Sequence, residues 1–482
     1  MIRIESKRNK FTYNIYHIVK AFYPGEDVEQ KVDGQQESLV TLYMPGDSSF
    51  SVFSEEIGLP SVQDPDEQRL QEEKWAVTRR VYQYLAEVNG GGLAWGILTG
   101  VRPTKLIMQK IEAGIGREEI LRSFQEEDFV SPEKAELAYE IACREHELLS
   151  RLDCAEGFSL YVGIPFCPSV CSYCSFSSSP IDQWRDRVDG YLDALVKEIR
   201  ALGKMAAGRK PDTVYIGGGT PTTLEPEQLD RLLSTITECF DISRALEFTI
   251  EAGRPDSITE EKLRVIRKYP VTRISVNPQT MQQKTLDLVG RRHTVKDVVN
   301  AFQMARKLGF DNINMDLIAG LPGENAEDMR DTLSRVKELG PDSLTVHALA
   351  IKRAAKFGQE GRTAELHSEI SQMVEEASRC ARSMSLQPYY LYRQKNIAGN
   401  FENVGYAEVD KAGIYNILIM EEKQTILAAG AGASTKILLR EPIKEKNGKE
   451  VGIIRIENVK NITEYISRID EMIERKGEWL WR

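Results

Sequence analysis

Three of the seven cysteines, Cys167, Cys171 and Cys174, fall within eight residues in the spacing C-x3-C-x2-C. Three soft ligands so close together on one loop can hold a metal site. A closed structural zinc site takes four ligands, and no fourth cysteine or histidine lies nearby. Thiolate loops of this kind are the usual holders of iron–sulfur clusters, which makes a cluster the favoured occupant. With three protein ligands, one iron is left open for a substrate. The apolar run at 160–166 (LYVGIPF) leads straight into the loop and reads as a buried strand that delivers the thiols.

Other residues able to bind sit at the ends of similar runs. Gly217-Gly218-Gly219-Thr220-Pro221 follows one of them. Consecutive glycines let a ligand approach the backbone, and exposed amides favour an anion. The plain alternative is a strand–helix turn. Glu251, in Glu-Ala-Gly-Arg-Pro, could accept from an ammonium or simply pair with Arg254. Asp316 lies inside the apolar NINMDLIAGLPG, where a carboxylate is costly unless paired. A ligand role such as contact with ribose hydroxyls is therefore favoured for it. Gln279 ends a further run, and Arg291 follows twelve residues later in GRRH, where alone it reads as a solvated cation. Together these residues suit a molecule with an amine, a carboxylate and a ribose, set beside an open iron. S-adenosylmethionine fits that description. Its amine and carboxylate would chelate the open iron, and an electron from the cluster would release a 5′-deoxyadenosyl radical.

The elements that must position this set form a repeat. Strand-like runs recur at 159–166, 213–219, 247–253, 273–279, 312–320 and 343–349, with amphipathic helical stretches between them. Strand–helix units in series mean a parallel sheet with crossover helices. The pattern allows an open doubly wound sheet or a partial barrel; in both, ligands gather at the C-terminal ends of the strands. Before this region, 11–19 (FTYNIYHIV) and 38–44 (SLVTLYM) read as strands, and 67–89 reads as a helix that stops at Gly90-Gly91-Gly92. Pro103 sits where another helix could start, with Arg102 and Lys105 beside it. Beyond about 355, a helix at 363–385 precedes runs at 391–396, 415–421, 425–437 and 451–459 that suggest a mixed sheet, and an amphipathic helix follows with Asn461 or Thr463 near its N-cap.

The 482 residues carry 41% hydrophobic and 28% charged residues, as expected of a soluble protein of two or three domains. A net charge of −10 argues against a general nucleic-acid coat. No run is long and apolar enough for a membrane span, and no secretory signal is visible. Cys143, Cys154, Cys239 and Cys380 are scattered and the total is odd, which suits a reducing cytoplasm and buried small side chains.

The C-x3-C-x2-C loop, GGGTP, the glutamate, the glutamine–arginine pair and DLIxGLPG resemble the radical S-adenosylmethionine enzymes. More closely they resemble the oxygen-independent coproporphyrinogen III oxidase group, and WGILTGVRPTKL resembles its extended HemZ-type branch. The resemblance covers roughly 158–440. It implies Cys167, Cys171 and Cys174 as ligands of a 4Fe-4S cluster. It implies Tyr161, Tyr173, Gly218, Gly219, Thr220, Glu251, Gln279, Arg291, Asp316 and Ala350 as contacts to S-adenosylmethionine. The expected fold is α/β: a partial (β/α)6 TIM-like barrel at 153–355, with an N-terminal α+β accessory domain at 1–152 and a C-terminal α+β domain at 356–482. The implied activity is cytoplasmic oxidative decarboxylation of two propionates of coproporphyrinogen III, giving protoporphyrinogen IX in haem biosynthesis. A tetrapyrrole substrate and an electron donor such as flavodoxin or ferredoxin follow from it. A polyanionic substrate calls for basic residues, with Arg102, Lys105, Lys352, Arg353, Arg393 and Lys395 as candidates.

Two departures from the family pattern stand out. Gly163 occupies the usual histidine position before Ile-Pro-Phe-Cys, and Phe176 stands where the best-studied oxidases place a fourth cysteine. The Cys-x-Phe form also occurs in haem-chaperone relatives, which carry a His-Asn pair where this chain has Tyr415-Asn416. A haem-binding carrier on the same scaffold is therefore the second expectation, and radical modification or degradation of haem a third.

Overall fold

The computed structural model describes every residue except 47, 60–65, 177, 350–362, 394–400, 445–449 and 482, and only the backbone of 363–368. The chain divides into two compact units. One comprises Met1–Cys143, Ala348–Gln372 and Leu391–Asn403; the other comprises Arg144–His347, Met373–Tyr390 and Val404–Arg482.

The first unit opens with β1 (Ile2–Ser6), α1 (Asn9–Phe22), β2 (Val28–Val32), β3 (Val40–Tyr43) and β4 (Ser49–Val52), whose strands form a sheet in the order β2-β1-β3-β4. Helices α2 (Glu67–Val88), α3 (Thr104–Glu112) and α4 (Arg117–Glu126) follow, and α5 (Pro132–Ser150) leads into the second unit. The strand expected at 11–19 is instead part of helix α1. Phe11, Ile15, Ile18 and Val19 recur at helical spacing and are buried against Ile4, Leu42 and Val81. Their aromatic and β-branched types suggest a strand, but the periodicity of the buried face decides.

The second unit carries the repeat. In chain order its elements are β5 (Phe158–Ile164), β6 (Phe166–Cys167), β7 (Ser179–Pro180), α6 (Val188–Met205), β8 (Pro211–Gly218), α7 (Pro226–Cys239), β9 (Glu247–Glu251), α8 (Glu260–Arg267), β10 (Arg273–Ser275), α9 (Gln283–Leu288), α10 (Val295–Lys307), β11 (Ile313–Ala319), α11 (Ala326–Leu339) and β12 (Ser343–Ala348). Then come α12 (Thr363–Ser383), β13 (Gln387–Arg393), β14 (Glu402–Ala407), α13 (Ile414–Glu421), β15 (Thr425–Ala429), β16 (Ser434–Lys444), β17 (Glu450–Glu457), α14 (Ile462–Ser467) and α15 (Ile469–Gly477).

Eleven strands form one open sheet in the order β13-β14-β12-β11-β10-β9-β8-β5-β15-β16-β17. Pairing is parallel from β5 through β8, β9 and β10 to β11. The sheet is parallel-rich and not closed, as a partial barrel requires. Buried strands flanked by crossover helices read as nearly continuous apolar runs, and β5 is buried at six of its seven positions. The crossover helices are punctuated locally. Glu225 with Gln228, Thr294 with Asp297, and Asn325 with Asp328 form capping boxes at the starts of α7, α10 and α11, and Gly340 ends α11 in a left-handed conformation.

Beyond β14 one expectation fails. The run at 415–421 (YNILIME), expected in a mixed sheet, instead forms α13, with Tyr415, Ile417 and Leu418 buried. A short apolar run does not distinguish a buried strand from a buried helix. Among the described residues, no helix is long and apolar enough to cross a membrane.

Candidate functional site

The cysteine loop is built on a closed base. β5 ends at Ile164, and after Pro165 the short β6 pairs in parallel with β7, so that residues 168–176 leave the pair as a loop. The Cys174 amide donates to Cys171 O at 3.0 Å, a turn that sets the second and third thiols. The Ser172 amide donates to Val289 O at 3.1 Å and Ser169 Oγ to Gly290 O at 2.9 Å, which ties the loop to the segment after α9. All three cysteines are free thiols. Burial pushes the Cys167 and Cys174 thiols up, opposed at Cys167 by the Thr220 hydroxyl. Thr220 Oγ1 lies 3.4 Å from Cys167 Sγ.

The glycine turn holds a different job from the one its sequence suggests. Gly219 N donates to Ile164 O and Thr220 N to Phe166 O, both at 2.7 Å, and the Gly218 amide is directed to Glu251. These amides are spent on the protein, so the turn is not a free anion nest. It is a close backbone junction against the strand that bears Cys167. A side chain at Gly219 would place its Cβ 2.5 Å from Phe166 O, and Gly218 has φ +107°. Both positions therefore demand glycine.

Glu251 ends β9 and accepts a short hydrogen bond from the Tyr215 hydroxyl. Burial and the neighbouring Asp316 push its carboxyl up to about 7, although the Tyr215 bond pulls the other way. Tyr161, Tyr215 and Tyr415 stack above one another, the Tyr215 and Tyr415 centroids 4.5 Å apart and that of Tyr161 just over 6 Å from each. Arg254 does not pair with Glu251. It lies against Asp256 and the cysteine loop.

On the next strands, Gln279 takes φ +67°, a conformation uncommon for a side chain of this kind. Its amide donates to Asp316 O and its carbonyl accepts from Ile318 N, each at 2.9 Å, so the bend is pinned to β11. Asn314 Nδ2 donates to Asp316 Oδ1 at 2.6 Å, and the Asp316 amide donates to Asn277 Oδ1 at 3.2 Å. Arg291 is 4% exposed rather than solvated. It donates to Asn277 O at 2.6 Å, Gly253 O at 3.1 Å and Tyr173 Oη at 3.2 Å, thereby joining the strand ends to the cysteine loop. Burial raises the Tyr173 phenol despite this cation.

One unit thus holds Tyr161, the three cysteines, Tyr173, Gly218, Gly219, Thr220, Glu251, Gln279, Arg291 and Asp316, on its strands or in the loops between its elements. Ala350, Lys352, Arg353 and Lys395 lie outside the described residues. Arg102, Lys105 and Arg393 belong to the first unit. Arg393 is buried there over Trp95 and bonded to Leu98 O, so it acts as an internal brace. Sequence reasoning missed Tyr215, Asn277, Asn314 and the role of Arg254. The available signal was Tyr215, two residues ahead of the glycine turn on a strand adjoining that of Glu251.

The donor set fits a cluster held by cysteine. It comprises three thiols on one loop, hydroxyl and guanidinium donors at two of the sulfurs, and a backbone junction with no room for a side chain. Among the described residues, no three His, Cys, Asp or Glu side chains converge on a single-ion site.

Residues 161–336 match the model of the radical SAM superfamily, the class that this fold and thiol loop define. The chain is 41% identical over 392 residues to the oxygen-independent coproporphyrinogen-III oxidase-like protein HemZ of Bacillus subtilis (strain 168), covering 80% of this chain and 77% of that protein. It is 36% identical over 212 residues to the heme chaperone HemW of the same organism, covering 43% and 55%. Similarity to the oxygen-independent coproporphyrinogen III oxidase of Escherichia coli (strain K12) is 36% over 188 residues, or 39% and 41% of the two chains. The solved coproporphyrinogen III oxidase HemN from Escherichia coli, described as a radical SAM enzyme, matches with a TM-score of 0.53 and 25% identity over 70% of this chain and 74% of that one. The chain belongs to the radical SAM superfamily, in the HemZ-type branch of the oxygen-independent coproporphyrinogen III oxidase group. The cofactors of that superfamily are a 4Fe-4S cluster and S-adenosylmethionine.

Proposed function

We propose that the protein oxidatively decarboxylates propionate side chains of coproporphyrinogen III to vinyl groups, giving protoporphyrinogen IX. The observation that carries this reading is the placing of Asp316 near Glu251, and of Arg291 against Tyr173 of the cysteine loop, in a chain similar to HemZ over most of its length. When bound, the cluster and S-adenosylmethionine supply one-electron chemistry strong enough to remove hydrogen from an unactivated carbon.

The residues of this chain bind and orient. Cys167, Cys171 and Cys174 hold the cluster. Glu251, ionised, accepts from the amino group of S-adenosylmethionine, and Asp316 accepts from ribose hydroxyls. Gly218, Gly219 and Thr220 border the methionyl part as a turn closed against Ile164 and Phe166. Tyr161, Tyr173, Gln279 and Arg291 complete the wall, with Arg291 holding Tyr173 in place. A flavodoxin- or ferredoxin-like protein is the proposed electron source, and the cytoplasm the proposed compartment.

The test is an anaerobic assay with coproporphyrinogen III, S-adenosylmethionine and reductant, read by product mass. Vinyl products from the unsubstituted protein, and none from Cys167→Ala, support the proposal. Cleavage of S-adenosylmethionine without a vinyl product rules it out.

A haem carrier is the second reading, favoured by the HemW similarity and by Phe176, which is 75% exposed directly after the loop. Tyr415, in place of the chaperones' histidine, is buried in the tyrosine stack and offers no axial imidazole. Tight haem binding with porphyrinogen left intact would favour this carrier. Altered haem in the product analysis would favour haem modification.

A further inference from the structure

Arg254 follows β9 and is 4% exposed. Its guanidinium is used on more than one edge. Nε and Nη2 hold the carboxylate of Asp256 at 3.0 and 2.8 Å. Nη1 donates to Ser169 O at 2.9 Å and reaches Cys171 Sγ at 3.6 Å, while Nη2 also donates to Ser169 Oγ at 3.0 Å. Behind this pair, the buried His293 places Nδ1 3.6 Å from Asp256 Oδ1. The other guanidinium in this region, Arg291, is engaged by backbone carbonyls and Tyr173.

We propose that Arg254 is a positioning residue that clamps the cysteine loop at Ser169 and, through its N–H on the Cys171 sulfur, makes the cluster held there easier to reduce. The proposal rests on the reading of this loop as the cluster site and is independent of the substrate. Reduction adds negative charge to the cluster and its thiolates. Hydrogen bonds to sulfur and a nearby buried cation stabilise that charge, and both are established means of setting such potentials. Asp256 offsets part of the charge, but it occupies a different edge of the guanidinium, so the N–H directed at sulfur remains.

The test compares unsubstituted protein, R254Q and R254K after anaerobic reconstitution. Iron and sulfide per chain are measured, and the midpoint potential is taken from a redox titration followed by electron paramagnetic resonance. In R254Q the ratio of reduced to oxidised cluster at a fixed poise should fall about tenfold, or about 59 mV for a one-electron couple. R254K, which keeps the charge but not the fork, should fall between the two. An unchanged potential with a full cluster in either variant overturns the proposal. Should neither variant take up the cluster, the unsubstituted protein labelled with 15N-arginine decides. A nitrogen hyperfine coupling to the reduced cluster supports the contact, and its absence overturns it. Cluster uptake by the unsubstituted protein is the control: its failure counts against the cluster site, whereas a full cluster with an unmoved potential counts against Arg254 alone.

Discussion

Glu251 meets two opposing demands. Folding places its carboxyl in a dry site beside Asp316 and pushes it up to about 7 from an ordinary 4.5, whereas the proposed contact with the amino group needs it ionised. The sign of the consequence follows. The ligand-free fold binds a proton that the unfolded chain has already released, so this group's contribution is fully present below about pH 4.5 and is lost as pH rises through about 7. The loss is on the order of 1–3 kcal/mol. E251Q should remove it: denaturant midpoints of the two proteins should converge near pH 5 and separate near pH 8, with the variant the more stable. Calorimetry should show the opposite order for S-adenosylmethionine, whose binding to the unsubstituted protein should tighten as pH passes 7 and should be weakened at least tenfold in E251Q. The C-x3-C-x2-C loop could be read from sequence because its residues are local. The job of the glycine turn could not, because Gly219 and Thr220 bond to Ile164 and Phe166, more than fifty residues away. Tyr215 could not, because its phenol matters only where β8 lies beside β9. The role of Arg254 is hidden for the same reason. Its partners on the cysteine loop are more than eighty residues away.

Among the elements, the junction of β5, β6 and the glycine turn makes the most discriminating prediction. G219A should force the turn away from Phe166 O, costing about 2–3 kcal/mol and displacing the cysteine loop. Thermal denaturation and iron content after reconstitution should both fall. G163A should be mild by comparison, since a Cβ there meets nothing closer than 3.4 Å. A loss of iron in G163A equal to that in G219A would contradict this account. All six strands of the repeat and its long crossover helices were legible, because a fully buried strand and an amphipathic helix write different periods into the chain. Helices α1 and α13 were not. In both, residues of strand-like type occupy a helix, and what separates the possibilities is the set of neighbours that buries them: Ile4 and Leu42 for α1, and Glu247, which accepts from the Tyr415 amide at 2.9 Å, for α13.

Across the second unit, the sheet is locked from behind by a buried charge pair. Lys476 on α15 and Glu198 on α6 are both fully buried and paired. Glu198 also accepts from Gly430 N and Asn458 Nδ2, each at 2.9 Å, and from the Tyr465 hydroxyl. Tyr191 donates to Gly163 O at 2.7 Å, on the strand that leads into the cysteine loop. K476M strands a buried carboxylate and should cost about 3–5 kcal/mol in urea denaturation, with E198Q in the same chain recovering part of the loss. Glu198 on α6 and its partners at 430–476 are more than two hundred residues apart in sequence, and the strand order reveals why they meet. That order has a consequence for timing. One neighbour of β5 is β8, made soon after it; the other is β15, which pairs Leu427 with Leu160. During synthesis β5, which leads into the cysteine loop, is therefore a half-paired edge until residues beyond 429 have left the ribosome.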